Sequence, residues 1–310
     1  MIKRPSIVVV GSVNTDLTVQ ASRVARPGET LLGREFTVSQ GGKGANQAVA
    51  AARLGAAVTF IGCVGRDSFG DDAVAALDDD GVVIRYIRRI NEHSSGVALI
   101  VVGDDGENAI IVAPGSNAEL TAENVTDATP AFNEADVVLV QLEVPLPAVE
   151  RALTIGRSRG ATTILNPAPA QPLSKHILSL VDWLTPNETE AALLAGEENK
   201  TSEKLASIGR SLVESGVEKV VVTRGSAGST YISRDETFDV EPLRVDAVDT
   251  VGAGDAFNGA LAVALGRGDA VREALRFASA AAAISVTRRG AQASMPTIDE
   301  VEHFMRERNS

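Results

Sequence analysis

The segment Asp249-Thr250-Val251-Gly252-Ala253-Gly254-Asp255-Ala256-Phe257 puts two glycines and a carboxylate at the entry to a helix. Phe257, Leu261, Ala264 and Leu265 follow at helical spacing and the pattern stops at Gly266. Small residues let a ligand come close to the backbone. A helix N-terminus offers unpaired N–H groups and a partial positive charge to a phosphate. Asp255 falls in the first turn, beside that anion site. Phosphoryl transfer to an alcohol needs electrostatic hold on the moving group and a proton acceptor for the hydroxyl, and this segment can supply both. Taken alone, the segment also reads as a helix start stabilised by its acidic residue.

Two further polar clusters sit near strand ends. Gln40-Gly41-Gly42-Lys43-Gly44-Ala45-Asn46-Gln47 precedes an alanine-rich helix. Lys43 could neutralise phosphate charge there and Asn46 could donate and accept toward hydroxyls; a tight strand–helix turn is the plainer reading. Gly11-Ser12-Val13-Asn14-Thr15-Asp16 follows the first strand, so Asn14 and Asp16 fall where ligands bind in doubly wound sheets. Glu143 follows a strand in the same way. Each of these residues alone is more simply a satisfied loop polar group, and their shared placement is what points to vicinal hydroxyls. No G-x-x-x-x-G-K-[ST] occurs, because Gly42-Lys43 is followed by Gly44, and no G-x-G-x-x-G follows the first strand. A P-loop enzyme and a Rossmann dehydrogenase are therefore disfavoured.

The elements that must position these residues alternate. Short apolar β-branched runs at 6–11, 58–65, 136–142, 162–166, 183–185 and 219–223 show little polar alternation, as in strands buried on both faces. Helical patterns cover 44–54, 71–80, 147–159, 187–195, 202–215, 253–265, 270–286 and 298–307. This predicts one α/β domain over 1–310, doubly wound, with a mostly parallel central sheet flanked by helices. Residues 13–38, with alternation at Leu32, Arg34, Phe36 and Val38, and residues 96–113, with an Asp105-Gly106 turn, predict a small β-sheet. Over an active site it would be a lid; the alternative is a peripheral insertion.

The formal net charge of −12 repels phosphate backbones and disfavours nucleic acid as a partner. Only 4% of residues are aromatic, so a sugar would be read by polar side chains rather than broad ring platforms. No run approaches the roughly 20 apolar residues of a membrane span. Met1-Ile2-Lys3-Arg4-Pro5 leads straight into the first strand, with no leader pattern. Cys63 is the sole cysteine, which suits a reducing, cytoplasmic setting.

With these segments in order, the chain resembles the ribokinase-like, or PfkB, carbohydrate kinases along nearly its whole length. Residues 11–16, 41–48 and 249–259 carry the resemblance, with Asn166-Pro167-Ala168-Pro169-Ala170, Thr185-Pro186-Asn187-Glu188-Thr189-Glu190 and Val286-Thr287-Arg288-Arg289-Gly290-Ala291. It implies a ribokinase-like fold and ATP-dependent phosphorylation of D-ribose at its 5-hydroxyl. Asp255 would be the base, and Gly252, Ala253 and Gly254 the anion hole. Asn14, Asp16, Gly42, Lys43, Asn46 and Glu143 would hold the sugar. Asn187, Thr223, Arg224, Gly225, Ser226, Gly228 and Ser279 would meet the nucleotide, with Gly254 at its phosphates. Glu190 would organise Mg²⁺ through water. Asp249, Val251, Ser285, Arg288, Gly290 and Ser294 would form a K⁺ site, unless Asp249 simply pairs with Arg288. The resemblance also implies a homodimer through the lids. Other acceptors (deoxyribose, fructose, a nucleoside) and a non-catalytic sugar sensor remain open on sequence.

Overall fold

The computed structural model describes residues 3–104, 107–197 and 202–308. Among these, thirteen strands form two sheets. The large sheet has the order β13-β12-β11-β10-β9-β8-β1-β4-β5. Its parallel body is β1 (Ser6–Val10), β4 (Ala57–Gly65), β5 (Val83–Ile90), β8 (Val137–Val140), β9 (Thr162–Leu165), β10 (Trp183–Leu184) and β11 (Lys219–Thr223). β12 (Ser229–Ser233) and β13 (Thr237–Val240) add antiparallel at one edge.

The apolar runs are buried on both faces because helices cover both. Ile7 and Val9 of β1 join a core with α1 (Lys43–Arg53), α8 (Ala253–Arg267) and α9 (Val271–Ser285), whereas Val8 and Val10 join a second core with α4 (Leu146–Ser158) and α7 (Ser202–Glu214). Each fully buried aliphatic side chain contributes about 1.5–3 kcal/mol. The chain winds from β1 toward β4 and β5, then returns to β8 on the other side of β1. The crevice of such a sheet opens at this reversal, beyond the strands' carboxyl ends. Ser12 and Glu143, which follow β1 and β8, therefore face one another across it.

α1 and α8 lie unusually close. A Cβ on Gly259 would stand 2.6 Å from the Ala50 Cβ and 2.8 Å from the Gln47 carbonyl. The alanine-rich sequence of α1 and Gly259 of α8 thus form a seam of small residues. One turn earlier on both helices, the same seam sets Asn46 and Gln47 against Asp255.

The small sheet has the order β3-β2-β6-β7, from β2 (Asn14–Gln20), β3 (Phe36–Gly41), β6 (Gly96–Val102) and β7 (Asn108–Ala113). The expected alternation from Leu32 begins only at Phe36: Leu32 and Arg34 belong to no strand, and Leu32 is 92% exposed. Beyond Phe36 the pairing narrows to Gln20, which donates to the Glu35 carbonyl and accepts from the Arg34 N–H, and β2 ends there. The 105–106 turn lies outside the described residues. One face carries Asn14, Asp16 and Ala98 toward the large domain. The other carries Leu17, Val38, Leu99 and Ile111 in register.

Candidate active site

A cavity of about 980 Å³ opens beside the N-terminus of α8. Gly252 caps that helix at φ 78°, a left-handed conformation that favours glycine, and no side chain caps the end. The Ala253 N–H makes a long bond of 3.3 Å to the Thr250 carbonyl, and the N–H groups of Gly254 and Asp255 are left to the cavity, which Gly252, Ala253, Gly254 and Asp255 line. A Cβ built on Gly254 meets no atom within 4 Å. The protein's own packing does not require glycine there.

Asp255 is buried and held on both oxygens. Asn46 Nδ2 donates to Oδ2 at 2.9 Å and Gln47 Nε2 donates to Oδ1 at 2.9 Å. Gln47 also donates to Asn166 Oδ1 at 3.0 Å and accepts from Gln141 Nε2 at 2.6 Å. On the other flank, Asn258 Nδ2 donates to the Gly254 carbonyl at 2.8 Å, and Thr185 Oγ1 donates to Asn258 Oδ1 at 2.6 Å. No function was expected for Gln47, Gln141, Asn166, Thr185 or Asn258. Gln47, Asn166, Thr185 and Asn258 lie in the segments that carry the resemblance, but neither those segments nor Gln141 after β8 signalled a role for them.

The residues expected at the sugar gather next to Asp255. Gly42 turns at φ 88°, in near backbone contact with Val13 and Asn14. Asn14 Oδ1 accepts from Asn117 Nδ2 at 2.8 Å. Glu143 Oε2 accepts from Ser12 Oγ at 2.5 Å and from the Lys43 N–H at 3.0 Å. Asp16 is pushed up to about 7 by burial, then by Glu143 and Asp255, with Lys43 pulling it back. Burial would lower the Lys43 ammonium, but Asp255, Glu143, Glu190 and Asp16 together hold it above its ordinary value. Four acidic groups from separate parts of the chain thus converge on one lysine.

The expected nucleotide residues line the same cavity except Arg224. Asn187, Thr223, Gly225, Ser226, Gly228 and Ser279 all do so. Arg224 turns to Asp239 at 3.2 Å instead. Leu243 and Val245, from the irregular segment after β13, and Val286 at the end of α9 give the cavity an apolar wall; the segment after β13 did not announce this in sequence. Asn187 and Glu190 cap the short helix α6 (Glu188–Leu194) reciprocally, each side chain accepting from the other's N–H at 2.8 Å. Burial raises the Glu190 carboxyl, with the Asn187 N–H and Lys43 pulling it back.

Behind the anion-site turn, Asp249 accepts from the Val251 N–H at 3.0 Å and the Gly290 N–H at 2.8 Å. Arg288 pairs with Glu300 at 2.5 Å, so the alternative Asp249–Arg288 pair is not formed. Ser285 and Ser294 are fully buried, and each hydroxyl donates to a carbonyl, leaving its oxygen free to bind a cation. The donor set is wholly oxygen, which suits a hard cation.

The family model described as pfkB family carbohydrate kinase matches residues 4–298. A ribokinase of Haemophilus influenzae is 41% identical over 97% of this chain and 99% of its own. A deoxyribokinase of Salmonella typhi is 37% identical over 96% and 98%. The structure of an Arabidopsis thaliana ribokinase complexed with ribose and ATP superposes with a TM-score of 0.90 at 34% identity, covering 98% of this chain and 99% of that one. A glycine-rich helix start with a buried carboxylate, an α/β sheet open at its reversal and full-length likeness to these proteins agree: the chain belongs to the pfkB family of carbohydrate kinases.

Proposed function

We propose that the chain transfers the γ-phosphoryl group of ATP to the 5-hydroxyl of D-ribose. The observation that carries this reading is the position of Asp255. Its carboxylate touches Asn46 of the polar cluster, while the open end of its own helix borders the cavity. An alcohol held by the cluster and a phosphate held by the helix end would meet at that carboxylate. Ribokinases that match over nearly the whole chain support the acceptor.

In this reading Asn14, Asp16, Gly42, Lys43, Asn46 and Glu143 orient the sugar. Asp255 takes the hydroxyl proton as the oxygen bonds to the γ-phosphorus and the bond to the ADP oxygen breaks. The N–H groups at Gly252, Ala253 and Gly254 hold the charge that develops on the phosphoryl oxygens. Thr223, Gly225, Ser226, Gly228 and Ser279 hold the nucleotide; Arg224, tied to Asp239, would brace that turn. Glu190 would hold Mg²⁺ through water, supplying charge neutralisation at the phosphates; its half-buried, raised carboxyl fits a site that gains from a nearby cation. Asp249, Ser285 and Ser294 with the carbonyls of Val251, Arg288 and Gly290 would hold K⁺, which would stiffen the turn leading into α8. Residues 13–38 and 96–113 act as a lid that excludes water, and two copies pair through its outer face.

Among the described residues no helix is long and apolar enough to cross a membrane. With one cysteine, buried in β4, the chain needs no oxidising compartment, in keeping with a cytoplasmic location. The acidic balance argues against nucleic acid.

The test is ADP release with Mg·ATP on ribose, deoxyribose, fructose and adenosine, in K⁺ and in Na⁺, for the wild type and Asp255→Asn. Ribose turnover stimulated by K⁺, and lower by on the order of 10²-fold or more in the variant, is expected. Preference for deoxyribose would move the acceptor only. Near-normal turnover in Asp255→Asn would remove it as the base. Ribose binding without turnover would favour a sensor.

A further inference from the structure

Behind Asp255 lies a chain of buried amides that the reaction as described does not use. Gln47 and Gln141 are fully buried, and Asn166 nearly so. Asn166 Nδ2 donates to the Thr185 carbonyl at 3.1 Å, which turns Asn166 Oδ1 toward Gln47. Gln47 Nε2 donates to that oxygen and to Asp255 Oδ1, while Gln47 Oε1 accepts from Gln141 Nε2 at 2.6 Å. The order has one sense. A main-chain carbonyl ends one branch and a carboxylate ends the other, and an ionised carboxylate, like a carbonyl, can only accept. A flipped Gln47 would set oxygen against oxygen at both contacts.

The arrangement is costly for packing alone. Gln141 Oε1 and Asn46 Oδ1 are buried with no partner among the described residues, and apolar side chains would fill the same space without that penalty. What it does achieve is direction without neutralisation. Lys43, Asp16 and Glu190 act on Asp255 electrostatically, but both of its hydrogen-bond contacts are neutral amides. Asn46 belongs to the sugar cluster and is free to change partners when a hydroxyl arrives. Gln47 is walled off from the cavity and holds its oxygen whatever is bound.

We infer that Gln47 is a positioning residue that aims the Asp255 carboxylate at the acceptor hydroxyl, and that Gln141 keeps the Gln47 amide in its donating orientation. This rests on Asp255 being the base, as proposed above.

The experiment is a double-mutant cycle on ribose turnover: Gln47→Met in the wild-type and in the Asp255→Asn backgrounds, with kcat and KM for ATP. Gln47→Met should lower kcat by about 10- to 100-fold in the wild type, the scale of a small misplacement of a reacting group. KM for ATP should stay within about two-fold, and in Asp255→Asn the same change should cost less than about two-fold, because aim no longer matters. Gln141→Met should act in the same direction and more weakly. It deletes an oxygen that has no partner, so it serves for the cycle if Gln47→Met does not fold. An equal loss in both backgrounds, a loss confined to KM, or no loss would overturn the inference while leaving the base in place. Near-normal turnover in Asp255→Asn alone would overturn the base itself, and the inference with it.

Discussion

Asp16 shows how a single residue can carry a readable cost. Its carboxyl, ordinarily at 3.8, stands near 7 because burial and the charges of Glu143 and Asp255 disfavour the ionised form. Between those values the folded protein binds a proton that the unfolded chain does not. Folding stability therefore falls as pH rises through that window, the reverse of the usual carboxylate behaviour. Asp16→Asn should make the sugar-free protein more stable than wild type at about pH 8 and flatten this part of the profile, as thermal unfolding at about pH 5 and pH 8 would register. Sugar hydroxyls donating to Asp16 favour the ionised form, so ribose should bind more tightly from about pH 6 to pH 8 and release a proton on binding. Calorimetry in buffers of different ionisation heat measures that release. Binding that weakens with rising pH would mean Asp16 does not receive those hydroxyls. Its place just past the first strand was legible in the sequence; that it sits within β2 and its strained ionisation were not. That strain comes from burial and from Glu143 and Asp255, which are far apart in the chain and adjacent to Asp16 only once β2, β8 and α8 are assembled.

At the scale of elements, α8 begins with a contradiction that only function resolves. Gly254 lies inside the helix, its φ is not positive, and the space before it is open. Alanine there would favour the helix by up to about 1 kcal/mol. Gly254→Ala should therefore leave thermal stability unchanged or raised while kcat falls on the order of 10²-fold, because in the proposed reaction the methyl would stand where phosphoryl oxygens approach the N–H groups. Unfolding midpoints measured beside steady-state rates decide it; unchanged kcat would mean that no anion sits at this helix end. Elements of this kind were legible wherever periodicity or glycine spacing had a local cause, as in α1, α8, β1 and β4. β5 was missed because Arg85, Arg88 and Arg89 break its apolar pattern, and an edge strand tolerates that charge. β12 and β13 were missed because short antiparallel partners take their extension from β11 rather than from their own sequence. The amide chain behind Asp255 was hidden for a similar reason: Gln47, Gln141 and Asn166 come from three separate elements, and nothing in their spacing says that they meet.

At the scale of the whole molecule, the outer face of the small sheet is an uncovered apolar surface. Register places Val19 with Phe36, Leu17 with Val38 and Leu99, and Leu99 with Ile111 on the outer face of the small sheet. Phe36, Val38, Leu99 and Ile111 are each half or more exposed, with Ile111 at 70%. A contiguous apolar strip on a strongly acidic chain is a liability unless something covers it. Sheets bury such faces by stacking against another sheet, and a second copy offers an identical one through a two-fold axis. The inner face of the same sheet carries Asn14 and Asp16, so pairing would also steady the strand proposed to reach the sugar. Wild-type protein should sediment at twice the chain's mass, and Leu99→Lys should shift it to the monomer. Because β6 would then lose its support, KM for ribose should rise in the monomer by about 10-fold or more, with KM for ATP little changed. Each lost tenfold corresponds to about 1.4 kcal/mol. A wild type that is monomeric at assay concentration would sink the pairing. A monomeric variant with unchanged KM would keep the pairing but separate it from sugar binding.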